Sequence, residues 1–124
     1  MESFRGEVAP LGIKTLLVDP GAFRTELLSA ENIKPTETTI PEYKTPVGAL
    51  FEALSAFSGN QPGDPKKAVE AIVDVVKGEG KAANRGIPDR LPLGKDAVEV
   101  IRKKCTETLA LLESWEDISS STDY

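Results

Sequence analysis

Apolar side chains recur at helical spacing in three long stretches of the sequence, each introduced by a capping residue. The first helix is predicted to begin at Thr45, a hydroxyl followed by proline, and to run to about residue 57. The next begins at Asp64, carries its apolar residues on one face and closes at Gly78. The last begins at Asp96, which is followed three residues later by a glutamate as in a capping box, and runs to about residue 115.

The last of these helices has a continuous apolar face. Its inward-facing residues are predicted to be Val98, Ile101, Cys105, Leu109 and Leu112. On this face Cys105 is interpreted as a buried core thiol, because a buried cysteine behaves as a small hydrophobic residue. Residues 116–124 are mostly polar and are predicted to form a loose tail.

Two shorter stretches have the pattern of strands. Residues 13–18 form a compact apolar run between a glycine and an Asp-Pro-Gly turn, which is typical of a buried strand in a parallel sheet. Residues 90–93 contain a proline and predict a short edge strand, where a missing backbone N–H is tolerated. Two strands are too few for an independent sheet. We therefore expect strand 13–18 to lack a partner along one edge and to promote association with another chain.

The segments between these elements are predicted to be short turns and loops. Residues 2–9 have the composition of the last turns of a helix that Pro10 ends. After the first strand, Thr25 is placed to cap a short helix over residues 26–30. Residues 31–44 carry prolines and threonines without periodicity, and they predict a loop.

Charge and composition exclude several classes of function. The net charge is −5 and no stripe of lysine and arginine offsets it, so electrostatics oppose binding to nucleic acid. No run approaches the roughly 20 apolar residues of a membrane span, and the N-terminal residues have no signal-peptide core. A single cysteine cannot form an intrachain disulfide. We therefore expect a cytoplasmic protein that binds neither nucleic acid nor membrane.

The sequence also lacks the side chains that many catalytic sites require. It contains no histidine, which excludes Ser-His-Asp and Cys-His nucleophiles. The commonest metal ligand is thereby missing, and one cysteine cannot make a structural zinc site. We assign no catalytic residue and no metal ligand.

Several segments, taken in order, resemble one enzyme family. Residues 7–14 (EVAPLGIK) and 18–25 (VDPGAFRT) resemble the segment after the catalytic helix of the short-chain dehydrogenase/reductase family. Residues 59–68 (GNQPGDPKKA), 90–97 (RLPLGKDA) and 115–117 (WED) are similar to its C-terminal third. The resemblance covers nearly the whole chain. It implies an α/β fold, the C-terminal fragment of a doubly wound Rossmann-type sheet, with about two parallel strands and three to four helices in one partial domain.

The resemblance also implies a cofactor site. In that family a Pro-Gly turn at the carboxyl end of a strand lies beside the nicotinamide of NAD or NADP. This implies a cofactor-binding role, here vestigial, for Pro20, Gly21, Phe23 and Thr25. The backbone around Phe23 would contact the carboxamide, and the Thr25 hydroxyl would contact the carboxamide or a phosphate. Without the family context, the same residues describe a plain strand-to-helix turn with a threonine cap.

The other functional motifs of the family have no counterpart here. The glycine-rich turn that seats the pyrophosphate at a helix N-terminus is missing, as are the catalytic Tyr-x-x-x-Lys pair and its serine. They are expected before Met1. Tyr43 and Lys44 are adjacent rather than separated as in that motif, so no catalytic role is transferred to them. We expect the chain alone to bind neither NAD nor NADP with useful affinity and to be inactive in hydride transfer.

Three hypotheses of function remain open. The chain is a truncated short-chain dehydrogenase/reductase-like protein, derived from an NAD(P)-dependent oxidoreductase, that acts only with a partner supplying the nucleotide-binding half. Alternatively, it is a non-catalytic interaction or regulatory partner of a full-length relative, or a remodelled domain that binds a small ligand. The expected partner is a second copy of the chain or a full-length relative.

Overall fold

The computed structural model of the chain describes residues 2–34 and 38–124. It contains two parallel strands, β1 (Leu17–Pro20) and β2 (Arg90–Leu93). The helices are α1 (Glu2–Val8), α2 (Pro41–Phe57), α3 (Pro65–Lys77) and α4 (Lys95–Ser119). Short 3-10 helices span Ala9–Leu11, Glu26–Leu28, Gly80–Ala82 and Ser120–Thr122. The predicted α/β class, with two parallel strands and up to four helices, is confirmed.

The two strands run in register from Leu17 opposite Arg90 to Pro20 opposite Leu93. An ion pair also joins them: the Arg90 guanidinium donates to both carboxylate oxygens of Asp19, at 2.9 and 3.1 Å. This hydrogen bonding lowers the pKa of the Asp19 carboxyl below its ordinary value. Because a bidentate pair has one favourable geometry, it favours this register over a slipped one.

β2 spans the residues predicted for it, whereas β1 lies later in the chain than predicted. The apolar run 13–18 was expected to form the strand, but the ladder covers Leu17–Pro20. Pairing begins where the Leu17 N–H donates to the Asp89 carbonyl, at 3.1 Å. Residues 13–15 instead border an open cleft that also contacts Arg5 and Gly86. The hydrophobic pattern predicted a buried strand, but none of residues 13–18 is fully buried and Ile13 is 51% exposed. A strand also needs a hydrogen-bonded neighbour, and β2 supplies only four residues of it.

The ends of α1 and α3 agree with their sequence signals. The 3-10 turn after α1 contains Pro10 and closes at Gly12, whose φ is 74°. The Asp64 carboxylate accepts the N–H groups of the first turn of α3, that of Lys66 at 2.9 Å and that of Lys67 at 3.4 Å. Gly78, with φ of 71°, closes the same helix. Both predicted ends of α3 are therefore confirmed.

α2 begins at Pro41, four residues before the predicted start at Thr45, and ends at Phe57 as predicted. Residues 41–44 are thus helical, and the predicted loop 31–44 is wrong over this part. A proline in the first helical position loses no hydrogen bond, so Pro41 begins the helix as readily as Pro46 would. The exposed Tyr43 lies in the first turn of α2.

α4 differs most from its prediction. It begins at Lys95 after Gly94 and extends to Ser119, and a 3-10 turn follows where a loose tail was predicted. Its predicted buried face is exposed: Val98 is 39%, Leu109 61% and Leu112 59% accessible. Cys105 is exposed too, so its interpretation as a core thiol is wrong for this structure. The spacing identified an apolar face correctly, but no described element covers it beyond Ile101.

The core is small. Among the described residues, Val8 and Ala82 are the buried apolar side chains, and Gln61 is the buried polar one. The molecule is held instead by the short ladder and by hydrogen bonds where several loops meet at the carboxyl ends of the strands.

Candidate functional site

The candidate site is the turn that follows β1. Its path is set by backbone hydrogen bonds that continue the sheet beyond its last residues. The Gly21 N–H donates to the Leu93 carbonyl at 2.7 Å. The Ala22 carbonyl then accepts the Gly63 N–H, and the Gly63 carbonyl accepts the Arg24 N–H, both at 2.9 Å. The turn therefore lies between the end of β2 and the segment that leads into α3.

A carboxylate from α4 holds the same turn. Asp96, in the first turn of that helix, accepts the Ala22 N–H at 2.6 Å. This hydrogen bond lowers the pKa of Asp96, helped by its own N–H and that of Ala97 and opposed by partial burial. The sequence predicted that Asp96 would cap its own helix. The helix begins one residue earlier, at Lys95, so the carboxylate is directed across to the turn instead.

Three glycines make this close approach possible. A Cβ at Gly21 would lie 2.5 Å from Asp96 Cγ, and one at Gly94 would lie 2.5 Å from Asp96 Oδ1. Gly94 also has a φ of 100°, which disfavours any side chain. At Gly63, a Cβ would lie 2.5 Å from the Phe23 ring and 2.7 Å from the Ala22 carbonyl oxygen. The Pro-Gly signal in the sequence is thus explained by packing against Asp96.

Arg24 attaches the turn to a buried residue. Its Nε and Nη2 donate to the Gln61 carbonyl at 3.2 and 3.1 Å. Gln61 is 2% exposed, and its Oε1 has no hydrogen-bond donor among residues 2–34 and 38–124. The Arg24 guanidinium therefore makes a structural contact that joins the turn to the segment before α3.

The four predicted cofactor residues lie together in this turn. Pro20 ends β1 and Gly21 contacts Asp96. The Phe23 carbonyl accepts the Thr25 N–H at 2.9 Å, while no acceptor for the Phe23 N–H lies among the described residues. The Thr25 oxygen accepts the Leu27 N–H at 3.4 Å, as its predicted capping role requires, so its proton remains available to donate. The turn thus presents one amide donor and one hydroxyl donor, a set suited to an amide or phosphate oxygen.

Clefts open on both sides of the turn. One of about 340 Å³ lies against α3 and is lined by residues that include Phe23, Lys67 and Leu93. Another of about 450 Å³ lies against α4 and is lined by residues that include Asp19, Pro20 and Val100.

Over the part of the chain that the structure describes, no group of three metal-ligating side chains occurs, and no helix is both long and apolar enough to cross a membrane.

Comparison with known proteins shows which proteins this chain is similar to. No family model matches the sequence. Oxidoreductase BOA17 of Botryotinia fuckeliana is 34% identical over 113 residues, which is 91% of this chain and 38% of the relative. A short-chain dehydrogenase from Streptomyces avermitilis superposes with a TM-score of 0.71 at 37% identity, covering 99% of this chain and 41% of that one. The chain is thus similar to the C-terminal part of a short-chain dehydrogenase.

The chain spans about two-fifths of the length of these two proteins. Its two parallel strands and four helices correspond to a C-terminal fragment of the family's Rossmann-type sheet. The resemblance inferred from the sequence is therefore confirmed, and an origin from an oxidoreductase with it. Sequence reasoning identified Asp96 as a helix cap but missed its contact with the turn. No local signal could have revealed it, because its hydrogen-bond partner lies 74 positions away.

Proposed function

We propose that this chain supplies the nicotinamide side of an NAD(P)-dependent oxidoreductase site and transfers no hydride by itself. The observation that carries the proposal is the turn of residues 20–25. Hydrogen bonds to Leu93, Gly63 and Asp96 hold its backbone, while the Phe23 N–H and the Thr25 hydroxyl remain available. A preorganised pair of donors binds a carboxamide at little entropic cost.

In this role Phe23 and Thr25 orient the nicotinamide, and Pro20 and Gly21 shape the turn that presents them. Asp96 is a positioning residue, since it acts through the Ala22 N–H. The bound dinucleotide would supply the hydride-transfer chemistry. The present residues contribute binding and orientation of the ring but no proton donor, because no Tyr-x-x-x-Lys motif occurs in the sequence.

The remaining contacts to the cofactor must come from a nucleotide-binding segment provided by another polypeptide or by a longer form of this one. Two or three hydrogen bonds cannot offset an association cost of roughly 4 kcal/mol or more. We therefore expect calorimetry to detect no micromolar binding of NAD(H) or NADP(H) by the chain as given. We place the protein in the cytoplasm, since a single cysteine cannot form an intrachain disulfide.

A chimeric enzyme tests the role of the turn. In the Streptomyces avermitilis short-chain dehydrogenase, the part that matches this chain is replaced by this chain. Thr25→Val in the chimera is expected to weaken cofactor binding about 3- to 10-fold, the effect of one hydrogen bond. Thr106→Val is the matched control, because the Thr106 hydroxyl donates within α4 to the Arg102 carbonyl. Equal cofactor affinities of the two folded variants, checked by circular dichroism, would show that the turn has no binding role.

The exposed apolar side chains of α4 favour a second candidate, a non-catalytic interaction partner of a full-length relative. This candidate predicts that the Thr25→Val and Thr106→Val chimeras behave alike, while the purified chain binds the intact relative. Analytical ultracentrifugation of the mixed proteins measures that binding directly.

A further inference from the structure

The second half of α4 extends away from the rest of the molecule. Every residue from 102 to 119 is exposed, although the segment is continuously helical. Its large apolar side chains are each more than half accessible: Leu109, Leu111, Leu112, Trp115 and Ile118. An unpacked helix of this length is marginal in water, because most helical stability in proteins comes from packing an apolar face. The segment therefore requires a surface that covers it.

The spacing of the apolar residues indicates what kind of surface fits. Ile101, Cys105, Thr108, Leu112 and Trp115 recur at alternating intervals of four and three, the pattern of a helix that packs along another helix. Thr108 does not interrupt this seam. Its hydroxyl donates to the Lys104 carbonyl of the same helix at 2.7 Å, which leaves its methyl group to face a partner.

Charge along the same segment is strongly asymmetric. Three consecutive cations occupy residues 102–104, and residues 105–119 contain only acidic charges: Glu107, Glu113, Glu116 and Asp117. The acidic residues near the C-terminus of α4 oppose its helix dipole. Lys103 pairs with Glu107 at 3.7 Å. Among residues 2–34 and 38–124, no ion pair involves Arg102, Lys104, Glu113 or Glu116.

We propose that the second half of α4 pairs with the same segment of a second copy of this chain, in antiparallel orientation. With the two helices centred near Leu109, Cys105 of one copy lies opposite the turn of Leu112 and Trp115 of the other. The same alignment brings Arg102 beside the partner's Glu116. A two-fold axis makes each of these contacts twice.

Charge favours the antiparallel over the parallel orientation of two copies. A parallel pair would place cations beside cations and carboxylates beside carboxylates, which costs free energy at both ends. The antiparallel copy offers the complementary charges and an apolar seam of equal length without any further requirement.

A charge-swap series on the full chain tests the pairing. Wild-type protein is expected to sediment as a dimer of the 13.3 kDa chain at micromolar concentration. Arg102→Glu should raise the dimer Kd about threefold or more, since a carboxylate then faces the partner's Glu116 in both symmetric contacts. Adding Glu116→Lys should restore it. Within one helix residues 102 and 116 are too far apart for the second change to compensate the first, because α4 rises about 1.5 Å per residue.

The matched control exchanges charges on the side of α4 away from the seam. Lys103→Glu with Glu107→Lys preserves the intrahelical pair and should leave the dimer Kd unchanged. Circular dichroism confirms in each case that the helix still forms. A dimer Kd that does not change with Arg102→Glu, or that adding Glu116→Lys does not restore, would overturn the proposal. So would a monomer at all concentrations, or association only with a longer polypeptide.

Disulfide trapping tests the orientation independently. With Trp115→Cys, mild oxidation should link Cys105 of one copy to the introduced cysteine of the other, as read by mass spectrometry of the digested dimer. The two positions are about 15 Å apart along one helix, too far for an intrachain disulfide. The wild-type chain should link slowly through Cys105 alone. Rapid Cys105–Cys105 linkage in the wild-type chain would indicate a parallel pair and would contradict the antiparallel arrangement.

Discussion

The turn after β1 and the second half of α4 both have clear sequence signals, yet they differ in what supports them. The turn is held from three directions, by Leu93, Gly63 and Asp96. The helical segment 102–119 has an equally regular pattern but contacts almost nothing else in the structure. The comparison teaches that a sequence pattern identifies which side chains are suited to burial or hydrogen bonding. Only the fold shows whether another part of the chain covers or binds them. Four predictions test this contrast, from the largest expected effect to the smallest.

Gly21→Ala should produce the largest loss of stability. The added Cβ would overlap the Asp96 carboxylate and force the turn or α4 to move. Overpacking of this kind costs about 1–3 kcal/mol. Gly6→Ala is the control: it lies in α1 with no atom within 4 Å of the added Cβ, and alanine favours a helix by up to about 1 kcal/mol. Thermal melting of the two variants should move in opposite directions; a similar shift for both would mean that the turn is not tightly packed.

Asp96→Ala should loosen the turn selectively. It leaves the Ala22 N–H without its acceptor, so exchange of that amide with solvent should accelerate about tenfold or more, while amides in α3 stay protected. Glu99→Ala provides the comparison, because Glu99 only pairs with the exposed Lys95 at 3.9 Å. Hydrogen exchange followed by NMR measures both. Unchanged exchange at Ala22 in the Asp96 variant would indicate that the ladder alone holds the turn.

Acid should weaken the turn after β1 and the pairing of β1 with β2. The hydrogen bond from Ala22 holds the pKa of Asp96 below its ordinary value of 3.8, and Arg90 does the same for Asp19. Folded-state pKa values that are lowered contribute stability above pH 3.8, and this stability is lost as the pH falls through the folded-state values. Denaturant unfolding from pH 6 to pH 2 should therefore show falling stability, with a flatter profile for Asp96→Asn. A wild-type profile that is flat below pH 4 would exclude this contribution.

Leu112→Ala should have the smallest effect on the isolated chain. A buried leucine would lose about 2–5 kcal/mol on truncation. Leu112 is 59% exposed, so the unfolding free energy of the monomer should change by less than about 0.5 kcal/mol. Measurement well below the dimer Kd is essential, because the same change should weaken pairing at higher concentration. A large loss in dilute solution would mean that the segment folds back onto the body of the molecule.

Much of the local structure could be predicted from the sequence. Asp64 and Gly78 bound α3 as predicted, and Thr25 caps its short helix, because each of these signals acts within three or four residues of backbone. The strand Arg90–Leu93 was located by its proline, which is tolerated only at an edge. The candidate site residues were found through resemblance to a family, and the structure brings all four into one turn.

The errors fall where a distant partner decides the outcome. The start of β1 was misplaced because the length of β2, not the apolar run, limits the ladder. The start of α2 was misplaced between two prolines, either of which suits the first turn. The exposed face of α4 was predicted to be buried because periodicity identifies an apolar face without showing what covers it.

The sequence by itself thus determined the order of the elements, the ends of α3, the turn chemistry and the lack of histidine-dependent catalysis, since all of these depend on residue identity and short-range contacts. Only the tertiary structure decided that Asp96 reaches the Ala22 N–H, that Asp19 pairs with Arg90, and that α4 extends beyond the sheet. The physical reason is the distance along the chain over which each interaction acts. Capping and backbone preference act over one helical turn, whereas each of these three features depends on residues brought together from about seventy positions apart or on the size of the surface available to cover a helix.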